Sequence, residues 1–81
     1  MTLSVLLFAH TRERVGRSHL TLELPSGSRV SDAVAALRRA HPALEPLWPH
    51  LAIALNGEIT RLDAPLPDGA ELALLPPVSG G

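Results

Sequence analysis

The spacing of apolar residues in the first third of the chain predicts two strands. Residues 3–9 are apolar except for Ser4 and rich in branched side chains, which is typical of a short strand. In residues 19–24 leucines alternate with polar side chains, and this period predicts a half-buried strand. The polar residues 10–16 end in Gly16 and predict a loop or one helical turn. We therefore expect the two strands to pair as an antiparallel hairpin.

Apolar positions change to a helical spacing after a turn at residues 25–27. They recur on one helical face over residues 30–40, and Pro42 ends the pattern. Either Ser28 or Ser31 could cap the start, since both hydroxyls can accept a backbone hydrogen bond. This segment is the one long amphipathic helix that the sequence predicts.

The second half of the chain combines a proline-rich segment with short apolar segments. Prolines in residues 42–50 predict a loop with one short turn, in which leucines and Trp48 cover the core. Further strands are predicted at residues 51–55, 58–60 and 70–75. Asn56 and Gly57 both tolerate a positive φ, so they predict a tight hairpin between the first two of these strands.

These elements follow the order β-β-α-β-β-β, which predicts an α+β fold. A single amphipathic helix must bury its apolar stripe against a sheet. We expect a mixed sheet of four to five strands curled around one main helix, which is the β-grasp arrangement of ubiquitin. This domain spans residues 1–75, and residues 76–81 follow it as an extended tail.

One helix covers only one face of a sheet, and the pattern leaves apolar side chains on the other. The residues assigned to this outer face are Leu6, Phe8, Ala52, Ala54, Ala73 and Leu75. An exposed face of this kind marks a surface for a partner protein. The competing interpretation is that residues 42–50 fold over it. Phe8 is the only phenylalanine and would be the main anchor of an interface.

Composition excludes several functional classes. The 81 residues include 7 basic and 8 acidic side chains, so no basic excess favours nucleic acid or an anionic membrane. The absence of cysteine excludes disulfides and thiolate chemistry, and the scattered histidines predict no metal site. A domain of this size has little room for a deep pocket, so we expect no catalysis by the chain alone. Without a long apolar segment or a signal peptide, the expected location is the cytoplasm.

The last six residues carry the most specific chemistry. Pro76 and Pro77 restrict φ and favour an extended arm. Gly80 and Gly81 then present a carboxylate without a nearby side chain, which could enter a narrow channel of another protein. A carboxylate is a poor electrophile until it is activated, for example as an acyl-adenylate. The competing interpretation is a frayed terminus without function.

Several segments match the pattern of a known family. They are residues 7–13 (LFAHTRE), 54–58 (ALNGE), 66–69 (LPDG), 71–75 (ELALL) and 76–81 (PPVSGG). On these segments the chain resembles the MoaD family, the sulfur-carrier small subunits of molybdopterin synthase. The resemblance covers the whole length, and its most specific part is the PPVSGG end. One departure is Leu74-Leu75, where the family often has aromatic residues before the two prolines.

The resemblance implies a chemical role for Gly81, with Gly80 beside it. A ubiquitin-activating-type adenylating enzyme would use ATP and Mg²⁺ to form an acyl-adenylate on Gly81. Sulfur from a donor protein would then leave a thiocarboxylate, and the chain itself would bind no cofactor stably. The tail would enter the large synthase subunit and give its sulfur to cyclic pyranopterin monophosphate. The family's synthase is a heterotetramer with one small subunit at each end of a large-subunit dimer.

The resemblance also implies which residues contact the large subunit. They are Phe8, Ile59, Leu75, Pro76, Pro77, Val78 and Ser79. Phe8 and Leu75 already belong to the outer face assigned from the strand pattern, whereas Ile59 comes from the resemblance alone.

Other functions share parts of this pattern. The chain could carry sulfur for thiamine synthesis or tRNA thiolation, or it could be a ubiquitin-like modifier conjugated to lysines of other proteins. All of these begin with activation of the C-terminal carboxylate, so only the fate of the activated group separates them. The remaining alternative is a β-grasp interaction module whose function would survive loss of Gly80 and Gly81.

Overall fold

The computed structural model of the chain describes residues 1–76, which form one mixed sheet with helices on one side. Its strands are β1 (Thr2–Leu7), β2 (His19–Glu23), β3 (Ala52–Leu55), β4 (Glu58–Ile59) and β5 (Glu71–Leu75). The strand order across the five-stranded sheet is β2-β1-β5-β3-β4. The central pair, β1 and β5, is parallel, and the other pairs are antiparallel. The predicted mixed sheet of an α+β fold is thereby confirmed.

The hydrophobic core lies between the inner face of the sheet and the main helix, α2 (Val30–Ala40). Core side chains from the central strands and α2 are 0–1% exposed, namely Leu3, Val5, Leu7, Leu72, Leu74, Val30, Ala33 and Leu37. Burial of each such leucine or valine contributes roughly 1.5–3 kcal/mol relative to an exposed side chain. This packing fixes which face of each strand points inward.

The start of α2 differs from the sequence prediction. Neither Ser28 nor Ser31 caps the helix, because the cap position is Arg29. The carboxylate of Asp32 accepts a hydrogen bond from the Arg29 backbone N–H at 2.7 Å. The Ser28 hydroxyl is already engaged, since it donates to the carbonyl of Pro25 at 2.8 Å. The Ser28 hydroxyl is therefore used by the preceding turn and is not the cap of α2.

A second helix, α1 (Ala9–Val15), occupies the segment predicted as a loop or one helical turn. It begins directly after Phe8 and ends at Gly16, which has a φ of 83°. The Gly16 N–H donates to the carbonyl of Arg12 at 2.8 Å and closes the last turn. Glycine adopts this left-handed conformation without steric cost, so the predicted end point at Gly16 is correct.

Residues 42–50 form a 3₁₀ helix (Pro42–His50) where the sequence predicted a loop with one turn. Pro46 and Pro49 have no N–H to donate, which disfavours a regular α-helix. The segment packs against α1 and α2, and it buries Leu44 completely. Trp48 is partly buried and packs against the core, which agrees with the prediction that it covers the core.

The hairpin predicted at Asn56 and Gly57 is confirmed. Both residues have a positive φ, 50° and 87°, which a tight turn between twisted strands requires. The Asn56 side chain also accepts a hydrogen bond from the Glu71 N–H at 2.9 Å, and its own N–H donates to the Glu71 carbonyl at 2.8 Å. The turn is therefore tied to the start of β5.

A leucine in the core and a leucine at the surface should differ in how much their replacement lowers the free energy of unfolding. Leu37→Ala should lower the free energy of unfolding by about 3 kcal/mol, because the fully buried side chain leaves a cavity. Leu62→Ala is the matched control, since Leu62 is 54% exposed and its loss should cost less than about 0.5 kcal/mol. Urea denaturation measures both, and equal losses would contradict the assigned core.

Candidate docking face at the exit of strand β5

An apolar row runs across four of the five strands on the outer face, and His19 of β2 continues the same level as a polar side chain. The register of the strands aligns Leu6, Ala73, Ala54 and Ile59. Side chains paired in this way point to the same face of a sheet, and Leu3, Val5 and Leu7 of the same first strand point to the other. The outer-face assignment made from the alternating pattern is thus confirmed for these strands.

A second apolar row lies beside the first, at the end where β1 and β5 leave the sheet. Ala52 pairs with Leu75. Phe8 follows Leu7, which pairs with Leu74, so Phe8 comes level with Leu75. Phe8 is 40% exposed, whereas Leu75 is half-buried. We call the two rows together the apolar patch: Leu6, Phe8, Ala52, Ala54, Ile59, Ala73 and Leu75.

The other end of the outer face is polar. Ser4 pairs with Thr21 on one side and with Glu71 on the other. The Thr2 hydroxyl donates to the Glu23 carboxylate at 2.6 Å on this same part of the sheet. Polarity therefore changes along the strands, and the apolar patch lies at the end from which residues 76–81 begin.

The alternative that residues 42–50 fold over the outer face is not what the structure shows. Their 3₁₀ helix packs against α1 and α2 and contributes Leu44 to the core on the inner side. Ile59 remains 69% exposed. Phe8 and Ile59 are the exposed members of the apolar patch, whereas Leu6, Ala52, Ala73 and Leu75 are half-buried and Ala54 is buried. Apolar side chains left at the surface of a sheet in this way indicate an interaction surface.

A small cavity of about 180 Å³ lies where the tail begins. Its lining combines the corner after β1, the 3₁₀ helix and the first tail residue, namely Phe8, His10, Thr11, Leu47, His50, Leu51 and Pro76. This volume is below the roughly 300 Å³ of common small-molecule sites, so it suits a single side chain better than a substrate. Sequence reasoning missed Leu51 and His50. The pairing of Ala52 with Leu75 explains their place, because it sets the preceding residues of the chain beside Pro76.

Four of the residues expected to contact a partner lie within the described part of the chain. Phe8 and Leu75 are neighbours at the exit of β5, and Pro76 follows them with an exposed side chain. Ile59 lies at the far end of the first row, where it also borders a groove of about 340 Å³ beside α2. The remaining predicted site residues lie outside the described residues: Pro77, Val78, Ser79, Gly80 and Gly81.

Charged side chains within residues 1–76 form exposed ion pairs and no reactive cluster. Arg38 and Glu45 pair at 2.8 Å, and both are about half exposed. His10 lies 3.5 Å from the Glu13 carboxylate on exposed α1. Over residues 1–76 no three His, Asp or Glu side chains are grouped so that they could hold a metal ion. Over the same range, no helix has the length and apolar character needed to cross a membrane.

Comparison with known families agrees with this architecture. The model of the ThiS family matches residues 5–81. The chain belongs to the ThiS family. The molybdopterin synthase sulfur carrier subunit of Chlamydomonas reinhardtii is 41% identical over 83 residues, covering 100% of both chains. Small archaeal modifier protein 1 of Haloferax volcanii is 40% identical over 83 residues, covering 93% of this chain and 95% of the relative.

Solved structures of related proteins share the fold. The crystal structure of the Haloferax volcanii modifier has a TM-score of 0.87 at 34% identity, covering 95% of this chain and 98% of that one. A chain from the complex of subunits 1 and 2 of the Helicobacter pylori molybdopterin-converting factor has a TM-score of 0.72 at 27% identity, with full coverage of both chains. The expected ubiquitin-like β-grasp fold and the family resemblance are confirmed.

The two faces of the sheet should respond differently to the same substitution. Ile59→Thr should change the free energy of unfolding by less than about 0.5 kcal/mol, because Ile59 is 69% exposed on an edge strand. Ile53→Thr should lower the free energy of unfolding by at least about 1 kcal/mol. Ile53 packs against the core, so the new hydroxyl would be buried and would lose its hydrogen bonds to water. Chemical denaturation of both variants measures the difference, and equal costs would contradict the face assignment.

Proposed function

We propose that this chain is the sulfur-carrier subunit of a molybdopterin synthase and that Gly81 carries the sulfur as a thiocarboxylate. The observation that carries the proposal is the apolar patch beside the exit of β5, in a ThiS-family chain. The relatives of about the same size include sulfur carrier subunits of molybdopterin synthase, one of them 41% identical over the whole of both chains. The fold supplies a docking surface, and the residues beyond Pro76 supply the reactive end.

Activation makes the Gly81 carboxylate reactive. A carboxylate oxygen attacks the α-phosphorus of ATP, and pyrophosphate leaves with Mg²⁺, so that an acyl-adenylate forms. The outer sulfur of a persulfide on a donor protein then attacks the acyl carbon and displaces AMP, which leaves an acyl disulfide. A second thiol, from the donor protein or a small-molecule thiol, attacks the inner sulfur of that disulfide, so that a new disulfide forms and the thiocarboxylate leaves on Gly81. This chain has no cysteine, so no thiol of its own can compete for the activated carbon. The adenylating enzyme and the sulfur donor are separate proteins in this proposal.

The apolar patch would dock on the large subunit of the synthase. Phe8 and Leu75 lie at the point where β5 ends, so docking there fixes the start of the tail against the partner. The tail would then reach the partner's active site and give its sulfur to cyclic pyranopterin monophosphate. The Helicobacter pylori complex of two converting-factor subunits supports a partner of this kind. In the same proposal, one small subunit sits at each end of a large-subunit dimer, in the cytoplasm where ATP is available.

Conjugation to other proteins is the second candidate function. The 40% identity to a small archaeal modifier protein supports it. Activation at Gly81 would be the same, but a lysine amine would replace sulfur as the nucleophile and leave an amide bond. The sequence contains no lysine, so this chain cannot extend polymers through its own side chains. The product formed after activation separates the two functions.

Deletion of Gly81 tests the proposed chemistry. The variant should lose sulfur transfer in a synthase reconstituted with its large subunit, activating enzyme and sulfur source, because the activated carboxylate would be one residue too short. Its unfolding curve should match that of the parent chain, since the described core ends at Leu74. Binding to the large subunit through the apolar patch should persist. Parental turnover by this variant would overturn the proposal.

Truncation of Phe8 tests the proposed docking surface. Phe8→Ala should weaken binding to the large subunit by about 2 kcal/mol, because an aromatic anchor at the centre of an interface dominates its affinity. Leu62→Ala is the matched control, since Leu62 is also exposed and apolar but lies outside the apolar patch. Calorimetric titration measures both affinities. An unchanged affinity for Phe8→Ala would move the interface to another surface.

A further inference from the structure

The corner between β1 and α1 contains a buried hydroxyl whose hydrogen bonds all go to one residue. Thr11 is 1% exposed, and its hydroxyl accepts a hydrogen bond from the Phe8 N–H at 3.0 Å. The same hydroxyl donates to the Phe8 carbonyl at 2.6 Å. The Thr11 N–H donates to that carbonyl as well, at 3.1 Å. Thr11 therefore holds both polar groups of the Phe8 backbone.

The corner is held in a conformation that its sequence does not favour. Ala9 has a φ of 50°, in the left-handed region where the Cβ of a residue other than glycine lies too close to the following carbonyl oxygen. Its side chain is exposed, so packing of that side chain does not offset the strain. Strain of this kind persists only where the surrounding structure fixes the backbone. The three hydrogen bonds between Thr11 and Phe8 span this residue and can supply that constraint.

Phe8 lies beyond the regular pairing of the sheet. The ladder between β1 and β5 ends at Leu7 and Leu74, and the Leu7 N–H donates to the Ser18 carbonyl at 2.9 Å. The Phe8 side chain is 40% exposed and lines the cavity beside Pro76. The register still places Phe8 at the level of Leu75, but Phe8 is not itself one of the paired residues, so the corner that Thr11 closes holds its backbone.

We propose that Thr11 is a positioning residue for docking: it holds Phe8 at the exit of β5 in the conformation that the partner binds. This inference rests on the proposed function, in which Phe8 anchors the large subunit. An anchor that is already ordered loses less conformational freedom on binding, so the affinity is higher. Thr11 need not touch the partner, since its hydroxyl is used entirely within the corner.

Removal of the hydroxyl tests the proposal, with binding to the large subunit and unfolding measured in parallel. Thr11→Val keeps the shape of the side chain and the backbone hydrogen bond to the Phe8 carbonyl, but it loses the two hydrogen bonds of the hydroxyl, and it should raise the Kd about tenfold. Thr11→Ser restores the hydroxyl and should bring the Kd back to within about twofold of the parent value. A Kd that follows overall stability, and not the presence of the hydroxyl, would overturn the proposal.

Ser28 provides a matched control for the loss of a buried hydroxyl. It is 9% exposed, and its hydroxyl donates to the Pro25 carbonyl at 2.8 Å in a turn before α2. Ser28→Ala should lower stability in the same way as Thr11→Val but leave the Kd for the large subunit unchanged. An equal rise in Kd for Ser28→Ala would show that Thr11 matters only for folding.

A double-mutant cycle with Phe8→Ala shows whether Thr11 acts through Phe8. In the Phe8→Ala background, Thr11→Val should no longer change the Kd, since the side chain that it positions is absent. A full additional effect in that background would overturn the inference. If Phe8→Ala alone does not weaken binding, the proposed docking surface itself fails. If Phe8→Ala weakens binding and Thr11→Val does not, only the role of Thr11 fails.

Hydrogen exchange of the parent chain keeps the proposal testable if Thr11→Val does not fold. The Phe8 amide donates to the Thr11 hydroxyl, so its exchange should be slowed well below the rate of an unstructured peptide. Thr11→Ser should retain this protection. Exchange of the Phe8 amide at the unprotected rate would contradict a corner fixed by Thr11.

Discussion

The parallel pairing of β1 with β5 is the constraint on which the candidate site depends. Parallel strands end at the same edge of a sheet, so the residues after β1 and those after β5 emerge side by side. The register from Ser4 and Glu71 to Leu7 and Leu74 brings Phe8 level with Leu75. Two segments far apart in sequence thereby form one surface, with Pro76 at its border. An antiparallel pair would place these two exits at opposite edges.

A second constraint follows from the number of covering elements. The main helix α2 and the 3₁₀ helix pack on the inner side, where Leu37 and Leu44 are fully buried. The outer face remains open, and only its end near the exit of β5 is apolar. The cavity beside Phe8 and Pro76 is about 180 Å³, smaller than common small-molecule sites, which is consistent with chemistry completed inside a partner.

Local chemistry decided which parts of the fold could be predicted from sequence. The turn at Asn56 and Gly57 and the helix end at Gly16 depend on φ preferences of single residues, so both predictions were correct. The cap of α2 was not predicted, because the Ser28 hydroxyl is engaged by the Pro25 carbonyl and the helix begins instead at Arg29, whose N–H donates to Asp32. The two residues of β4 are too few to show an alternating pattern, so only the family resemblance indicated Ile59 as a partner contact. The hydrogen bonds between Thr11 and Phe8 were not predicted either, because they span Ala9, whose positive φ is unfavourable for alanine.

The central claim is that Gly81 carries sulfur, and intact-mass spectrometry tests it most directly. The chain would be incubated with ATP, Mg²⁺, a sulfur source and an activating enzyme. Pyrophosphate released when the chain is added shows that the enzyme activates it. If Gly81 carries sulfur, the mass of the chain rises by one oxygen-for-sulfur exchange, and fragmentation locates the change at Gly81. An unchanged mass despite activation, or a chain joined to a lysine of another protein in place of the thiocarboxylate, would contradict this claim.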